Sequence, residues 1–355
     1  MTNYLWNHKL VIISSIIIVV NTYIYTYIYN NNNNKMCFSS SNLRLVTYNV
    51  HRFDMHGQNT VQKIKSHLSS LRPVPHIIAL NEVNVVEKPK ALDMIAEELN
   101  MKYEFFGHVG EGRYGNALFT SLPIKQKKEI HLRGGTEVQF PAGTKKLNGD
   151  IAKAGEKHRI ARGMLVVDME NGTRNLRCGV THLDHMSMKE RQVQLKHIVE
   201  ELIPKDIESE KNTDIILLGD LNALTRSDYN DEDWKRIEDT AEKNGWSPPE
   251  PDLDLNILKK NNFFDALAMA DYPPDRPWRT ASTDNPMYRI DYCFIRSKYM
   301  GVDQSLILSH TKESSDHFPV LFDVEQSVPD AETVSSSSSS GSSDGKGINF
   351  GISNL

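Results

Sequence analysis

The chain has 355 residues, 39% of them hydrophobic, and a formal net charge of −5 at neutral pH. That supplies enough apolar material for one large core, and it excludes a global positive field able to hold duplex nucleic acid non-specifically. Three cysteines, Cys37, Cys178 and Cys293, exclude a disulfide-built fold and leave room for at most a single bridge.

The N-terminus carries an apolar run from Leu10 to Val20, preceded by His8-Lys9 and followed by a Tyr/Ile repeat and the Asn30–Asn34 tract. The run has the size of a signal-peptide core, and with the repeat it reaches about the 20 residues that a spanning helix needs. Residues 1–42 therefore read as a secretory signal or a membrane anchor with an Asn-rich linker. Translation from Met36 would instead leave a cytosolic protein.

Residues 43–325 read as one domain of alternating strands and helices. Leu43–Asn49 is an alternating strand that ends in an amide. Thr60–Leu71 has helical spacing. His76–Glu82 is an apolar strand that ends in a carboxylate, and Lys90–Leu99 is again helical. Gly115–Ser121 follows as a strand, with Tyr114 and Asn116 around a Gly-rich turn. Between Lys125 and Arg162 lysines and arginines gather; the segment reads as a solvated face rather than a polyanion-binding one. Met164–Asp168 and Leu176–His182 are strands joined by Asn171-Gly172, the turn chemistry of a hairpin, so part of the sheet is antiparallel. Asn171-Gly172-Thr173 is also a glycosylation sequon, but the turn reading is preferred. Beyond His182 stand Asp184 and His185, and strand alternation would place Asp184 on the face of His182.

Lys189–Leu202 is helical. Ile215–Gly219 is a continuous apolar run, the mark of a strand buried on both faces, and it ends in Asp220-Leu221-Asn222. Ala223–Pro286 is rich in Asp, Glu, Trp and Pro and is expected to overhang that strand end. Arg289–Ile295 carries Asp291 inside a strand otherwise fit for a core. Ser315-Asp316-His317 then precedes the strand Val320–Val324. Cys178 and Cys293 fall mid-strand, as small buried hydrophobes do. From residue 326 to 355 the chain is Ser/Gly-rich and too poor in apolar residues to order itself.

Strand ends are rigid platforms on which polar groups keep a fixed geometry. Five separate strand ends or entries here carry Asn, Glu, His or Asp. Such an oxygen-rich set with two imidazoles suits a hard cation, Mg²⁺ or Mn²⁺, and lacks the close Cys/His spacing of a zinc site. Periodicity alone leads to an α/β protein with a large mixed or antiparallel core.

The ordered series Thr-Tyr-Asn49, Asn-Glu82-Val, Thr-His182-Leu-Asp-His, Gly-Asp220-Leu-Asn222, Arg-Ile-Asp291-Tyr and Ser-Asp316-His317 resembles the endonuclease/exonuclease/phosphatase superfamily. That group includes pancreatic-type deoxyribonucleases, abasic-site endonucleases, tyrosyl-DNA phosphodiesterases, poly(A) deadenylases, neutral sphingomyelinases and inositol-polyphosphate 5-phosphatases. The resemblance spans roughly Leu43 to Glu325. It departs at Asn81, where the family commonly has Gln, and it lacks the Trp-Cys-Asp-Arg type motif of the 5-phosphatases. It implies an α/β (α+β) four-layer αββα sandwich with two mixed, largely antiparallel sheets and a site at one edge. It also implies a Mg²⁺-dependent hydrolase acting on a phosphodiester, in nucleic acid, a small ester or a lipid.

In that scheme Glu82 holds the metal, with Asn49 and Asp316 beside it. His317 is the general base and Asp291 orients it. Asp220 aligns the attacking water, Asn222 donates to a non-bridging phosphate oxygen, and His182 donates to the phosphate or the leaving oxygen. Arg162 would clamp a phosphate oxygen or sit exposed at a strand entry. Tyr114 and Asn116 would line the cleft. Nuclease or phosphodiesterase activity is the first expectation. A sphingomyelinase-type phospholipase at a membrane is the alternative, and a catalytically silent, membrane-tethered binding protein is the alternative of another class.

Overall fold

The computed structural model describes residues 42–144, 150–251, 253–270 and 278–327. The N-terminal apolar segment, the Ser/Gly-rich tail, Cys37, Lys145 and Lys146 lie outside these residues. Among the described residues no helix is long and apolar enough to cross a membrane.

The chain first lays down β1 (Leu43–Asn49), the short pair β2 (Asp54–Met55) and β3 (Gln58–Asn59), then β4 (Ile77–Asn84), β5 (Lys102–Val109) and β6 (Tyr114–Thr120). It continues with β7 (Ile124–His131), the ribbon β8 (Glu137–Gln139) and β9 (Lys157–Arg159), then β10 (Gly163–Asn171), β11 (Arg174–His182) and β12 (Thr213–Asp220). The last strands are β13 (Phe264–Asp265), β14 (Asp291–Arg296), β15 (Met300–Ile307) and β16 (Val320–Gln326).

Two six-stranded sheets result, in the orders β15-β16-β1-β4-β6-β5 and β13-β14-β12-β11-β10-β7. Each has one parallel pair at its centre, β1 with β4 and β11 with β12, and antiparallel neighbours on either side. The two sheets therefore share one pattern of strand directions. Alternation along each strand divides its side chains between two layers. Leu43, Leu45, Ile216 and Leu218 belong to a core drawn from both sheets. Val46, Tyr48, Ile78 and Leu80 pack instead with residues of the helices Val61–Ser70 and Ala91–Leu99. Ile215 and Leu217 pack with Leu195 and Ile198 of the helix Met188–Leu202. The layers run helix, sheet, sheet, helix, as the resemblance implied.

The hairpin at Asn171-Gly172 forms: Asn171 pairs with Arg174, and Gly172 adopts a φ of 61°. Cys178 and Cys293 are free and buried, and burial pushes both thiols up. The basic segment is largely ion-paired at the surface: Lys127 meets Glu104 and Glu129, Lys128 meets Glu201, Arg133 meets Glu200, and Lys157 meets Glu137. The acidic stretch after Asn222 forms a helix, Asp231–Asn244, that buries Trp234, Ile237 and Ala241. Part of its charge is neutralised within the fold. Asp228 and Asp265 flank the fully buried Arg289, and Asp233 pairs with Arg279. Trp278 is half-buried against the inter-sheet core, as a structural loop tryptophan is.

Candidate active site

A parallel pair brings two C-terminal strand ends side by side, and here each sheet contributes one such pair to the same edge. Asn49 at the end of β1 lies opposite Asn81 of β4, and His182 at the end of β11 lies opposite Asp220 of β12. The antiparallel neighbours deliver their N-terminal ends to that edge. Asp291, the first residue of β14, pairs with Asp220, so it stands at the strand's entry rather than inside it. His317 lies just before β16, which runs antiparallel to β1.

Local backbone features aim these groups. β4 shifts register between Leu80 and Val83, and within that bulge Glu82 adopts a φ of 57°. A bulge with a left-handed residue turns a side chain away from its pleat, and a non-glycine residue holds such a φ only when its surroundings enforce it. Asn222 does the same at a φ of 49°, its backbone N–H donating to Asp220 Oδ1 at 3.0 Å. Gly219 allows the close approach of β12 to β11: a Cβ there would lie 1.9 Å from the Thr181 carbonyl oxygen.

The side chains meet. Asn49 Nδ2 donates to Glu82 Oε1 and to Asp220 Oδ2, both at 3.1 Å. His317 Nδ1 lies 2.8 Å from Asp291 Oδ2, and its Nε2 lies 3.7 Å from Asp220 Oδ2. His182 Nε2 is 3.5 Å from the same Asp220 oxygen, and its Nδ1 is 3.8 Å from Glu82 Oε1. Asp316 joins through His51, whose Nδ1 is 3.3 Å from Asp316 Oδ2 and 3.8 Å from Glu82 Oε2. Ser315 donates its hydroxyl to the Asn49 carbonyl at 2.7 Å and so pins the Ser-Asp-His turn against β1. His51 was missed in the sequence; its position two residues past the end of β1 is the signal that could have found it.

The electrostatics follow from burial and these contacts. Burial alone would lower the His317 imidazole, but Asp291, Asp220 and Asp316 override it and raise the group to about 10. Burial, with help from Asp291 and Glu82 and against the pull of His317, pushes the Asp220 carboxyl up to about 7. The proton in this pair belongs to both groups rather than to either one. Burial and the Arg162 guanidinium hold His182 well below the usual imidazole range, so it is neutral.

Arg162 corrects the reading of an exposed strand-entry residue. It is 6% exposed, so it is no surface residue, and two of its nitrogens face imidazoles. Nη1 donates to His182 Nδ1 at 3.2 Å and Nη2 to His185 Nδ1 at 3.3 Å. A guanidinium can only donate, so both Nδ1 atoms accept, and the neutral ring of His182 carries its proton on Nε2, toward Asp220. His185 thus reaches the site, while Asp184 turns away to accept from Thr136, Met186 and Ser187. β11 ends at His182, so strand alternation no longer sets the direction of Asp184.

Asn116 is likewise corrected. It is 0% exposed, and its amide bridges Asn81 Nδ2 at 2.9 Å and the Gly163 carbonyl at 3.0 Å. Asn81 also donates to the Thr181 carbonyl and accepts the Asp220 backbone N–H at 3.1 Å. These two amides tie the first sheet to the second beneath the site, and Asn116 has no face for a substrate. Tyr114 does line the cleft beside Glu82, and burial followed by the Glu82 charge pushes its phenol well above the ordinary range. That cleft, of about 680 Å³, is bounded by residues 109–111, by Val138 and Phe140, and by residues 158–162; among the described residues none of the acidic stretch after Asn222 lines it.

Two groupings could hold a cation. Asp220, Asp291 and His317 offer atoms within 4.8 Å of one another. They are buried, however, and His317 Nδ1 is already engaged with Asp291. Glu82 and Asp316 fit a hard cation better: two carboxylates, 20% and 40% exposed, facing one point marked by His51 at the mouth of the site. Asn49 holds Glu82 through its amide nitrogen, and its Oδ1 accepts the His51 backbone N–H at 3.1 Å.

Comparison with known proteins agrees with this geometry. No curated protein matches the chain in sequence. Among solved structures, the human Nocturnin catalytic domain with bound sulfate is similar at a TM-score of 0.54 and 16% identity, over 82% of this chain and 98% of that one. A mannosyl-6-phosphatase from Bacteroides thetaiotaomicron is similar at 0.54 and 16%, over 79% and 99%. A humanized D. rerio TDP2 is similar at 0.51 and 13%, over 80% and 98%. A sequence profile described as the endonuclease/exonuclease/phosphatase family matches residues 46–317, and the chain belongs to that family of metal-dependent phosphoester hydrolases.

Proposed function

We propose that the protein is a Mg²⁺-dependent hydrolase that cleaves phosphodiesters by attack of a water molecule. The observation that carries this reading is the convergence on Asp220 Oδ2: Asn49, His182 and His317 all approach it within 3.7 Å, from both sheets. A phosphodiester resists hydrolysis because water must approach an anion and an alkoxide must leave.

Glu82 and Asp316 would hold the metal ion, with Asn49 fixing the Glu82 carboxylate; once bound, the ion supplies charge neutralisation at the phosphoryl oxygens and the leaving group. The coupled Asp220 and His317 accept the proton of the attacking water. Asp291 fixes the His317 ring and stabilises its imidazolium form. Asn222 donates one amide hydrogen to the Leu183 carbonyl at 3.1 Å and keeps a second for a phosphate oxygen. His182, neutral and protonated on Nε2, donates a hydrogen bond to the phosphate. Arg162 sets that tautomer, and its remaining N–H groups add positive charge beside the cleft.

The test is a substrate panel of bis-p-nitrophenyl phosphate, single-stranded DNA, RNA and sphingomyelin, each with Mg²⁺ and with EDTA. Mg²⁺-dependent release from the first three, abolished by EDTA, is expected. Release from sphingomyelin alone would replace this reading by that of a phospholipase, and turnover of none by pure protein would favour a silent binding protein.

A further inference from the structure

The cleft beside Glu82 reaches well past the atoms that the reaction needs. It extends under the ribbon β8–β9, where Phe140 and His158 present their rings with centroids 5.2 Å apart. Arg52 and Arg159 line it as well, and Glu82 and Arg162 make it continuous with the active site. A group bonded to a phosphate at Glu82 therefore has this cleft next to it.

The ribbon is held in place from below. Thr136, one residue before β8, donates its backbone N–H at 2.7 Å and its hydroxyl at 2.9 Å to the fully buried Asp184. Gly135 N–H donates to Glu190 Oε2 at 2.7 Å, and Ile160 N–H, just past β9, donates to the Thr136 carbonyl at 2.9 Å. The ring wall is thus set before any ligand arrives, which removes part of the ordering cost of binding.

Its chemistry selects the occupant. About 680 Å³ is the size of a small-molecule site, so the cleft takes one substrate unit rather than a duplex. An aromatic wall stacks a planar base, and guanidinium groups receive phosphate. Three guanidinium groups, of Arg52, Arg159 and Arg162, against two carboxylates, of Glu82 and Glu111, leave the lining net positive and disfavour a quaternary ammonium head group such as choline.

Resting on the phosphodiesterase reading above, we propose that this cleft is a nucleoside subsite for a single-stranded nucleic-acid end. The base lies on Phe140, the scissile phosphate is at Glu82, and the next phosphate of the strand meets Arg52 and Arg159.

The experiment compares kcat/KM, with Mg²⁺, for methyl p-nitrophenyl phosphate, thymidine 5′-(p-nitrophenyl phosphate), the same thymidine ester bearing a 3′-phosphate, and p-nitrophenylphosphorylcholine. A rise of about tenfold is expected when thymidine replaces methyl, from base stacking, with a further rise on adding the 3′-phosphate. Phe140→Ala should erase the thymidine gain, Phe140→Trp should keep it, and Arg159→Gln should erase the 3′-phosphate gain. Equal values for the methyl and thymidine esters, or a preference for the choline ester, would overturn the proposal. If no ester is turned over, the hydrolase reading has failed, and calorimetry with thymidine 3′,5′-bisphosphate still reads the subsite. Binding weakened about tenfold in a folded Phe140→Ala variant supports it, and equal binding by the two proteins overturns it.

Discussion

At the scale of single residues, proton affinity links the site's chemistry to its stability. His317 is raised to about 10 from an ordinary value of 6.5, and Asp220 to about 7 from 3.8. In both cases the folded protein binds a proton more tightly than the unfolded chain does. Stability therefore falls as pH rises, through roughly 3.8 to 7 for Asp220 and 6.5 to 10 for His317. In EDTA-treated protein, the urea midpoint should be lower at about pH 9.5 than at about pH 6.5. Asp291→Asn should shrink that drop, because the Asp291 carboxylate is the main reason for the His317 shift. A midpoint that rises with pH over this range would refute the coupling. For activity, His317→Ala should lower kcat by about 10²- to 10⁴-fold, the usual worth of a positioned acid–base group, while the circular dichroism spectrum stays native. Unchanged kcat would remove His317 from the mechanism.

At the scale of elements, the central strands were legible and the edges were not. Apolar runs such as Ile215–Gly219 identify strands buried on both faces, and β1, β4, β6, β10, β11, β12 and β16 all form near their expected places. β5, β7 and β15 went unread because each includes a sheet edge or half-exposed face in its duties. All three are edge strands, and only Ile130 of β7 is buried. Charged, weakly patterned edges blunt sheet-to-sheet association but erase the alternation signal. The helix Asp231–Asn244 was hidden by its acidity, although Asn230 caps it and Trp234, Ile237 and Ala241 keep helical spacing. Site residues at the ends of central strands were readable for the same reason as the strands. Roles that depend on contacts across the sheets were not: nothing in the sequence around Asn116 or Arg162 says that one ties the sheets together and the other grips two imidazoles. Gly219 gives the element-level test. Gly219→Ala puts a Cβ against the Thr181 carbonyl at a φ of 144°. The variant should lose more than about 2 kcal/mol in urea denaturation, or fail to fold. A loss below about 0.5 kcal/mol would show that β12 can relax away from β11.

At the scale of the molecule, the site is a product of two sheets with one strand pattern meeting at one edge. Asn81 is the link between them. Its side chain contacts Asn116, the Thr181 carbonyl and the Asp220 backbone N–H. Asn81→Leu leaves those buried groups unpaired, at about 1–3 kcal/mol for each. It should also lower kcat, by moving Asp220 relative to Asn49. Wild-type kcat in this variant would show that the sheets keep their relation without the link.

The convergence of strand ends on a cation beside Glu82 is tested most directly by anomalous diffraction from crystals grown with Mn²⁺. An anomalous peak is expected within bonding distance of the Glu82 carboxylate, on the side facing Asp316 and away from the hydrogen-bonded Asp291 and His317. A peak held by Asp220, Asp291 and His317, with Glu82 left unligated, would contradict it.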